Sequence, residues 1–118
     1  MQRPSFIDVW LRVASVISTR STCPRLRVGA VVVNKENQII ATGYNGAPRK
    51  KPHCDEVGCV MEHNHCINAV HAEVNALLAA GPDARGGSIY VTHKPCKRCA
   101  NIITAAGIVD VHYSKEYP

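Results

Sequence analysis

The sequence is poor in aromatic residues and has no long apolar run. Phe, Trp and Tyr together make up 5% of its 118 residues. Proteins that hold single-stranded nucleic acid use stacking aromatic side chains along a basic channel, whereas the positive charges of this chain are scattered. No apolar stretch approaches the roughly 20 residues that a membrane-spanning helix needs. These deficits argue against a polynucleotide-binding groove and against a membrane protein.

The start of the chain also lacks the pattern of a secretory signal. Met1 to Pro4 leads directly into an amphipathic stretch, with no charged start, apolar core and small-residue cleavage site. We therefore expect a cytoplasmic protein. The length suits a single domain over residues 1–118, and a hydrophobic content of 46% is enough for one packed core. The formal net charge of +5 favours anionic partners such as nucleotide phosphates.

Six cysteines are present, and two interpretations of them are open. In a small secreted protein they would form three disulfides. Because no secretion signal is recognised and several cysteines alternate with histidines, metal binding is the favoured interpretation.

The apolar pattern predicts an α/β fold with three layers, α-β-α, around a mixed central sheet. Ser5 and Asp8 have the spacing of a capping box at the start of the first helix. The long stretch 45–68 has no apolar period and is predicted to be a loop. The later strands alternate with helices, which is typical of parallel pairing. Helices are predicted over 6–19, 72–80 and 99–106, and strands over 28–33, 39–43, 88–92 and 109–114.

Two short segments carry the candidate chemistry. His71 and Glu73 stand at the start of a predicted helix, and Cys96 and Cys99 follow Pro95 at the start of another. A His-x-Glu segment followed by Pro-Cys-x-x-Cys resembles the signature of zinc-dependent base and nucleoside deaminases. Each half alone is common, and Cys-x-x-Cys also occurs in redox and structural sites. A structural zinc would need a fourth ligand, which these two segments do not supply.

The residue types fit a catalytic zinc. One imidazole and two thiolates fill three tetrahedral positions and leave the fourth for water, whose pKa zinc lowers to about 7. The N-terminus of a helix favours negative charge, so we expect both Cys96 and Cys99 to ionise readily. Glu73 is placed to face the same cavity and to move protons between that water and a substrate.

Further segments resemble the deoxycytidylate deaminase family, and the resemblance covers most of the chain, from Ser21 to Tyr113. They are Ser21-Thr22-Cys23-Pro24-Arg25, Thr42-Gly43-Tyr44-Asn45-Gly46-Ala47-Pro48 and His71-Ala72-Glu73-Val74-Asn75-Ala76. The resemblance implies the cytidine deaminase type of fold and the hydrolysis of dCMP to dUMP and ammonia, which supplies dUMP for dTMP synthesis. It also implies a homo-oligomer, often a hexamer, with dCTP and dTTP as effectors.

The same resemblance implies substrate contacts. Asn45 is expected to hydrogen-bond the nucleotide at its sugar, and the alternative is an Asn used only for its backbone tolerance in a turn before Gly46. Arg25 is expected to bind the 5′-phosphate, and the alternative is a solvated loop arginine. Arg27 is the poorer candidate for the phosphate.

Four cysteines remain after the catalytic pair. Some members of the family hold a second, structural zinc here, and we predict one bound by Cys23, Cys54 and Cys66 with either Cys59 or a histidine. Such a site would explain how a long polar loop becomes ordered. The alternative is reduced thiols, some buried as small apolar side chains.

Two other functions stay open at this point. One is a deaminase acting on a base within RNA or single-stranded DNA, which the few aromatics and scattered charge disfavour. The other is a non-catalytic zinc module that only binds nucleotides or a partner protein, which the presence of Glu73 disfavours.

Overall fold

The computed structural model describes residues 2–23, 25–46, 61–62, 65–66 and 70–115. Helices are α1 (Phe6–Ser18), α2 (Ala72–Ala80) and α3 (Lys97–Ala105), with a 3₁₀ turn at Gly81–Ala84. Strands are β1 (Gly29–Val33), β2 (Ile39–Tyr44), β3 (Met61–Glu62), β4 (His65–Cys66), β5 (Ser88–His93) and β6 (Asp110–Lys115). No helix among the described residues is both long and apolar enough to cross a bilayer.

The central sheet is mixed and has the strand order β2-β1-β5-β6. Strand β1 runs antiparallel to both of its neighbours, while β5 and β6 are parallel. A parallel pair requires a crossover connection, which is supplied here by α3 between β5 and β6. The predicted mixed sheet and the parallel pairing of the later strands are therefore confirmed.

Helices cover both faces of the sheet, which confirms the three layers. Helix α1 packs on one face through a cluster of Ala14, Val31, Val33 and Tyr90. Helices α2 and α3 cover the other face, where the cluster includes Ala30, Val32, Ala76, Ile89, Val91 and Ile103. Ala30 and Val32 enter one cluster and Val31 and Val33 the other, and all five residues of β1 are buried.

The helix boundaries follow local capping. Ser5 accepts a hydrogen bond from the backbone N–H of Asp8, which confirms the predicted N-cap of α1. Helix α3 begins at Lys97, two residues before the predicted start, because Cys96 takes the N-cap position and its sulfur accepts from the Cys99 N–H. Cysteine is not among the preferred N-caps, so the pattern of residue types did not show this start.

The predicted loop over 45–68 needs one correction. Strands β3 and β4 form a two-residue antiparallel pair inside it. Two residues are too few to show an alternating apolar pattern, so the sequence carried no signal for this hairpin. An isolated bridge between Gly46 and Val70 closes the ends of the segment.

Helix α2 lies unusually close to β2. A Cβ atom added to Gly43 would come within 2.5 Å of both the Ala72 carbonyl oxygen and the Ala76 backbone nitrogen. Only glycine allows the two backbones to approach in this way. This contact fixes the distance between α2 and the end of β2. It therefore also fixes the position of the residues at the start of α2.

Candidate metal centre and active site

Three donor side chains meet where α2 and α3 begin. His71 is the N-cap residue of α2, and Cys96 is the N-cap residue of α3. The Nδ1 atom of His71 lies 3.0 Å from the sulfur of Cys99 and 3.8 Å from that of Cys96. One ligand atom from each of the three residues lies within 4.8 Å of the others. The structure therefore brings together all three residues predicted as metal ligands.

These distances fit a single metal ion that the three residues share in tetrahedral coordination. With typical zinc–nitrogen and zinc–sulfur bonds, neighbouring ligand atoms stand about 3.6 Å apart. The two observed nitrogen–sulfur distances, 3.0 and 3.8 Å, lie on either side of that value. One imidazole nitrogen and two thiol sulfurs are also the donor types that zinc prefers. His71, Cys96 and Cys99 are thus positioned to hold the metal through Nδ1 and two sulfur atoms.

The ionisation of Cys99 depends on the metal. Burial raises the pKa of the Cys99 thiol far above its usual range, the negative charge of Glu73 and the neighbouring Cys96 raise it further, and Arg98 opposes them. In the metal-free chain, burial therefore acts against the ionisation that the helix N-terminus is expected to favour. A divalent cation favours the thiolate, so metal binding is coupled to proton release at Cys99.

Glu73 lies in the first turn of α2 beside this cluster and is 4% exposed. Burial raises the pKa of its carboxyl group, against opposing hydrogen bonds from its own backbone N–H and from the Cys99 side chain. The influence of Cys99 on this pKa, and of Glu73 on that of Cys99, places the carboxyl group near the metal ligands. A buried carboxyl with a raised pKa beside a metal site has the properties of a group that exchanges protons near neutral pH.

Asn45 is buried next to the end of β2, and its amide bonds to backbone. Its Oδ1 accepts from the Val28 N–H at 2.8 Å, and its Nδ2 donates to the Leu26 carbonyl at 2.6 Å. The side chain therefore holds the segment before β1 against the end of β2. The turn interpretation does not describe Asn45, since its side chain bonds to a distant segment.

The two candidate arginines differ in their surroundings. Arg25 is exposed in a bend before β1. Arg27 donates from its guanidinium to the carbonyls of Thr19 and Ser21, at 3.2 and 3.1 Å. Arg27 thus bonds to the backbone that follows α1.

The cysteines predicted to bind a second zinc are only partly described. Cys23 is buried, and its backbone N–H donates to the hydroxyl of Ser21. Cys66 belongs to β4, of which the backbone alone is described, and Cys54 and Cys59 lie outside the described residues. The second site remains a prediction.

The end of β5, which leads to Cys96, is also fixed by polar contacts. Thr92 accepts a hydrogen bond from the Gly29 N–H at 3.2 Å, and its hydroxyl lies 2.9 Å from Nδ1 of His93. Burial, and then the charge of Lys115, lower the pKa of His93. The bond from Gly29 to Thr92 was not identified from the sequence, because the two residues are 63 positions apart.

A mixed sheet covered on both faces, with His71, Glu73, Cys96 and Cys99 gathered at two helix starts, defines a zinc-dependent deaminase. The chain belongs to the family described as the cytidine and deoxycytidylate deaminase zinc-binding region, which matches residues 4–115. The expected class of fold and the zinc cofactor are thereby confirmed.

Two curated relatives show the range of lengths in this family. ComE operon protein 2 of Bacillus subtilis is 42% identical over 120 residues, covering 99% of this chain and 63% of the relative. The deoxycytidylate deaminase of Mycobacterium phage D29 is 41% identical over 129 residues, covering 98% of this chain and 99% of the relative. The chain thus spans less than two thirds of the first relative and nearly all of the second.

Among solved structures, the dCMP deaminase of cyanophage S-TIM5 in complex with dCMP and dUMP is similar over the whole chain. It superposes with a TM-score of 0.83 at 32% identity, over 99% of this chain and 86% of that one. A tRNA:A34 deaminase is less similar, with a TM-score of 0.58 at 25% identity.

Proposed function

We propose that the chain catalyses the hydrolytic deamination of dCMP to dUMP and ammonia, with residues 1–118 acting as one catalytic domain. The observation that carries the proposal is the buried carboxyl of Glu73 beside the three donors His71, Cys96 and Cys99. The similarity to viral deoxycytidylate deaminases along nearly their full length supports the choice of substrate.

Glu73 moves the protons of this reaction. Bound by these three donors, zinc acts as a Lewis acid that makes water nucleophilic at neutral pH. The Glu73 carboxylate accepts a proton from the water that attacks C4 of cytosine. The same carboxyl then gives this proton to the ring nitrogen N3. As the C4–N4 bond breaks and the C4=O bond forms, Glu73 takes the remaining proton from the C4 hydroxyl and gives it to the amine, which leaves as ammonia. Its raised pKa suits this exchange, because the carboxyl must both take up and release a proton within one cycle.

Asn45 and Arg25 bind the rest of the nucleotide in this proposal. An amide has two donor hydrogens and an oxygen with two lone pairs, so the bonds to Leu26 and Val28 use half of its capacity. The other half suits a sugar hydroxyl. The exposed guanidinium of Arg25 suits the doubly charged 5′-phosphate, which it can bind in a fork.

A second, structural zinc is part of the proposal. Cys23 is buried at the start of the segment that leads to β1. We propose that it binds this ion together with Cys54, Cys66 and either Cys59 or a histidine. The use of reduced cysteine for metal is typical of a reducing compartment, and we place the reaction in the cytoplasm.

We further propose that the enzyme works as a homo-oligomer, a hexamer with dCTP and dTTP as effectors. Large apolar side chains stay exposed on separate elements of the described chain, which supports contacts between subunits. Examples are Phe6 on α1, Leu78 on α2 and Val111 on β6.

The test is a comparison of substrates. Zinc-loaded protein is incubated separately with dCMP, dCTP, deoxycytidine and a cytosine-containing oligonucleotide, and ammonia release is followed. Turnover of dCMP above all others is expected. Turnover of the oligonucleotide instead would indicate a nucleic-acid deaminase, and no turnover at full zinc occupancy would indicate a binding module. Glu73→Gln is the control, because it keeps the metal ligands but cannot exchange the proton.

A further inference from the structure

Asn75 occupies a position where asparagine is locally unfavourable. It lies in the first half of α2, two residues after Glu73. In a helix, asparagine is less favourable than alanine, since its side chain competes for backbone hydrogen bonds. Its presence here is explained by contacts outside the helix.

The amide of Asn75 joins two segments that meet at the active site. Its Nδ2 donates to the Tyr44 carbonyl at 2.9 Å and lies 3.4 Å from the Val70 carbonyl, which it also contacts as a donor. Its backbone N–H donates to the His71 carbonyl. One residue therefore touches the end of β2, the residue before the metal ligand and the metal ligand itself.

The two joined segments also bond to each other. The N–H of Gly46 donates to the Val70 carbonyl at 3.1 Å, and the N–H of Val70 donates to the Gly46 carbonyl at 2.7 Å. Between Tyr44 and Gly46 lies Asn45, whose side chain holds the backbone before β1. The stretch 44–46 is thus fixed on one side by Asn45 and on the other by Asn75.

We propose that Asn75 is a positioning residue that holds the stretch 44–46, which carries Asn45, at a fixed distance from His71 and Glu73. The amide supplies two hydrogens for two carbonyls, which neither a carboxylate nor an apolar side chain can do. Without it, the stretch 44–46 moves relative to α2, while the metal ligands keep their places on their own helices. The effect on substrate binding rests on the proposed function, whereas the effect on the backbone does not.

The backbone effect is measured by amide hydrogen exchange of the zinc-loaded protein. In Asn75→Ala and in Asn75→Asp, which preserves the volume, exchange of the Gly46 and Val70 amides is expected to accelerate about tenfold. The matched control is Asn34→Ala in the turn before β2, which likewise removes two bonds between a side-chain amide and the backbone, here those that Asn34 accepts from the Glu36 and Gln38 N–H groups. The control is expected to leave these two amides within about twofold of the parent protein.

The kinetic effect is expected in KM and not in kcat. In Asn75→Ala, KM for dCMP is expected to rise about tenfold while kcat stays within about threefold, because Glu73 and the ligands are retained. Asn34→Ala is expected to change neither constant. If the parent protein does not turn over dCMP, the proposed function fails, and the exchange measurement still decides the role of Asn75.

Three results would overturn the proposal. One is unchanged exchange at Gly46 and Val70 in both Asn75 variants. Another is accelerated exchange with an unchanged KM in an enzyme that turns over dCMP. The third is failure of both Asn75 variants to fold under conditions where Asn34→Ala folds, since that would show a role in stability rather than in positioning.

Discussion

Substitution of Gly43 by alanine tests whether the close approach of β2 and α2 sets the geometry of the active site. The added Cβ would stand 2.5 Å from two backbone atoms of α2, where ordinary contacts begin at 3.4 Å. The strand and helix must therefore separate by roughly 0.9 Å, the difference between these two distances, because neither backbone atom can rotate away. His71 and Glu73 move with the helix, while Asn45 moves with the strand.

Two effects of Gly43→Ala follow from this displacement. Forced expansion of a packed contact costs about 1–3 kcal/mol, which corresponds to a fall in Tm of roughly 5–15 °C for a domain of this size. A misplacement of about 1 Å between catalytic and substrate-binding groups costs on the order of 100-fold in rate. We therefore expect kcat/KM for dCMP to fall by roughly that factor.

Calorimetry and steady-state kinetics on zinc-loaded protein measure both effects. Thr42→Ser is the control, because Thr42 is the exposed neighbour on the same strand and loses one methyl group on the outer side. A Gly43→Ala protein with the Tm and kcat/KM of the parent would refute the reasoning, since it would show that the strand and helix do not constrain each other.

Three further predictions concern single side chains. Burial raises the pKa of Glu73 in the folded chain above its unfolded value, so the carboxylate destabilises the fold increasingly as pH rises through the folded pKa. Glu73→Gln should therefore raise the Tm of metal-free protein at neutral pH but not below about pH 4, and an equal shift at both pH values would contradict this cause. Arg25→Ala should raise KM for dCMP about tenfold and leave KM for deoxycytidine unchanged. The control Arg27→Ala should lower Tm and change neither KM. An equal rise in KM for both substrates in Arg25→Ala would show that Arg25 does not bind the phosphate. Cys23→Ser should lower the zinc content from two ions per chain to one and retain turnover, and a parent protein with one zinc per chain would disprove the second site.

The elements of regular structure could be predicted because their signals are local. The first helix carries its own N-cap at Ser5 and an apolar stripe, and the four strands of the central sheet were placed within one residue at each end. The catalytic metal ligands could be predicted for the same reason, since Cys96 and Cys99 share one helical turn and His71 stands at a helix start.

Contacts between distant segments could not be predicted in this way. The bond from Asn75 to Tyr44 spans 31 positions, and no local pattern indicates its partner. The bond of Asn45 to Val28 spans 17 positions, and no local pattern indicates it. The raised pKa of Cys99 depends on its burial in the folded chain, which a helix-terminus argument does not include.

The two helices that begin at the metal centre affect its net charge. With both thiols and Glu73 ionised, the protein side chains contribute three negative charges, and zinc supplies two positive ones. The N-termini of α2 and α3 each add about half a positive charge, so the total is close to zero. In the proposed reaction, the uncharged pyrimidine ring therefore needs no counter-ion at the metal centre, and the charge of the proposed substrate lies on its phosphate.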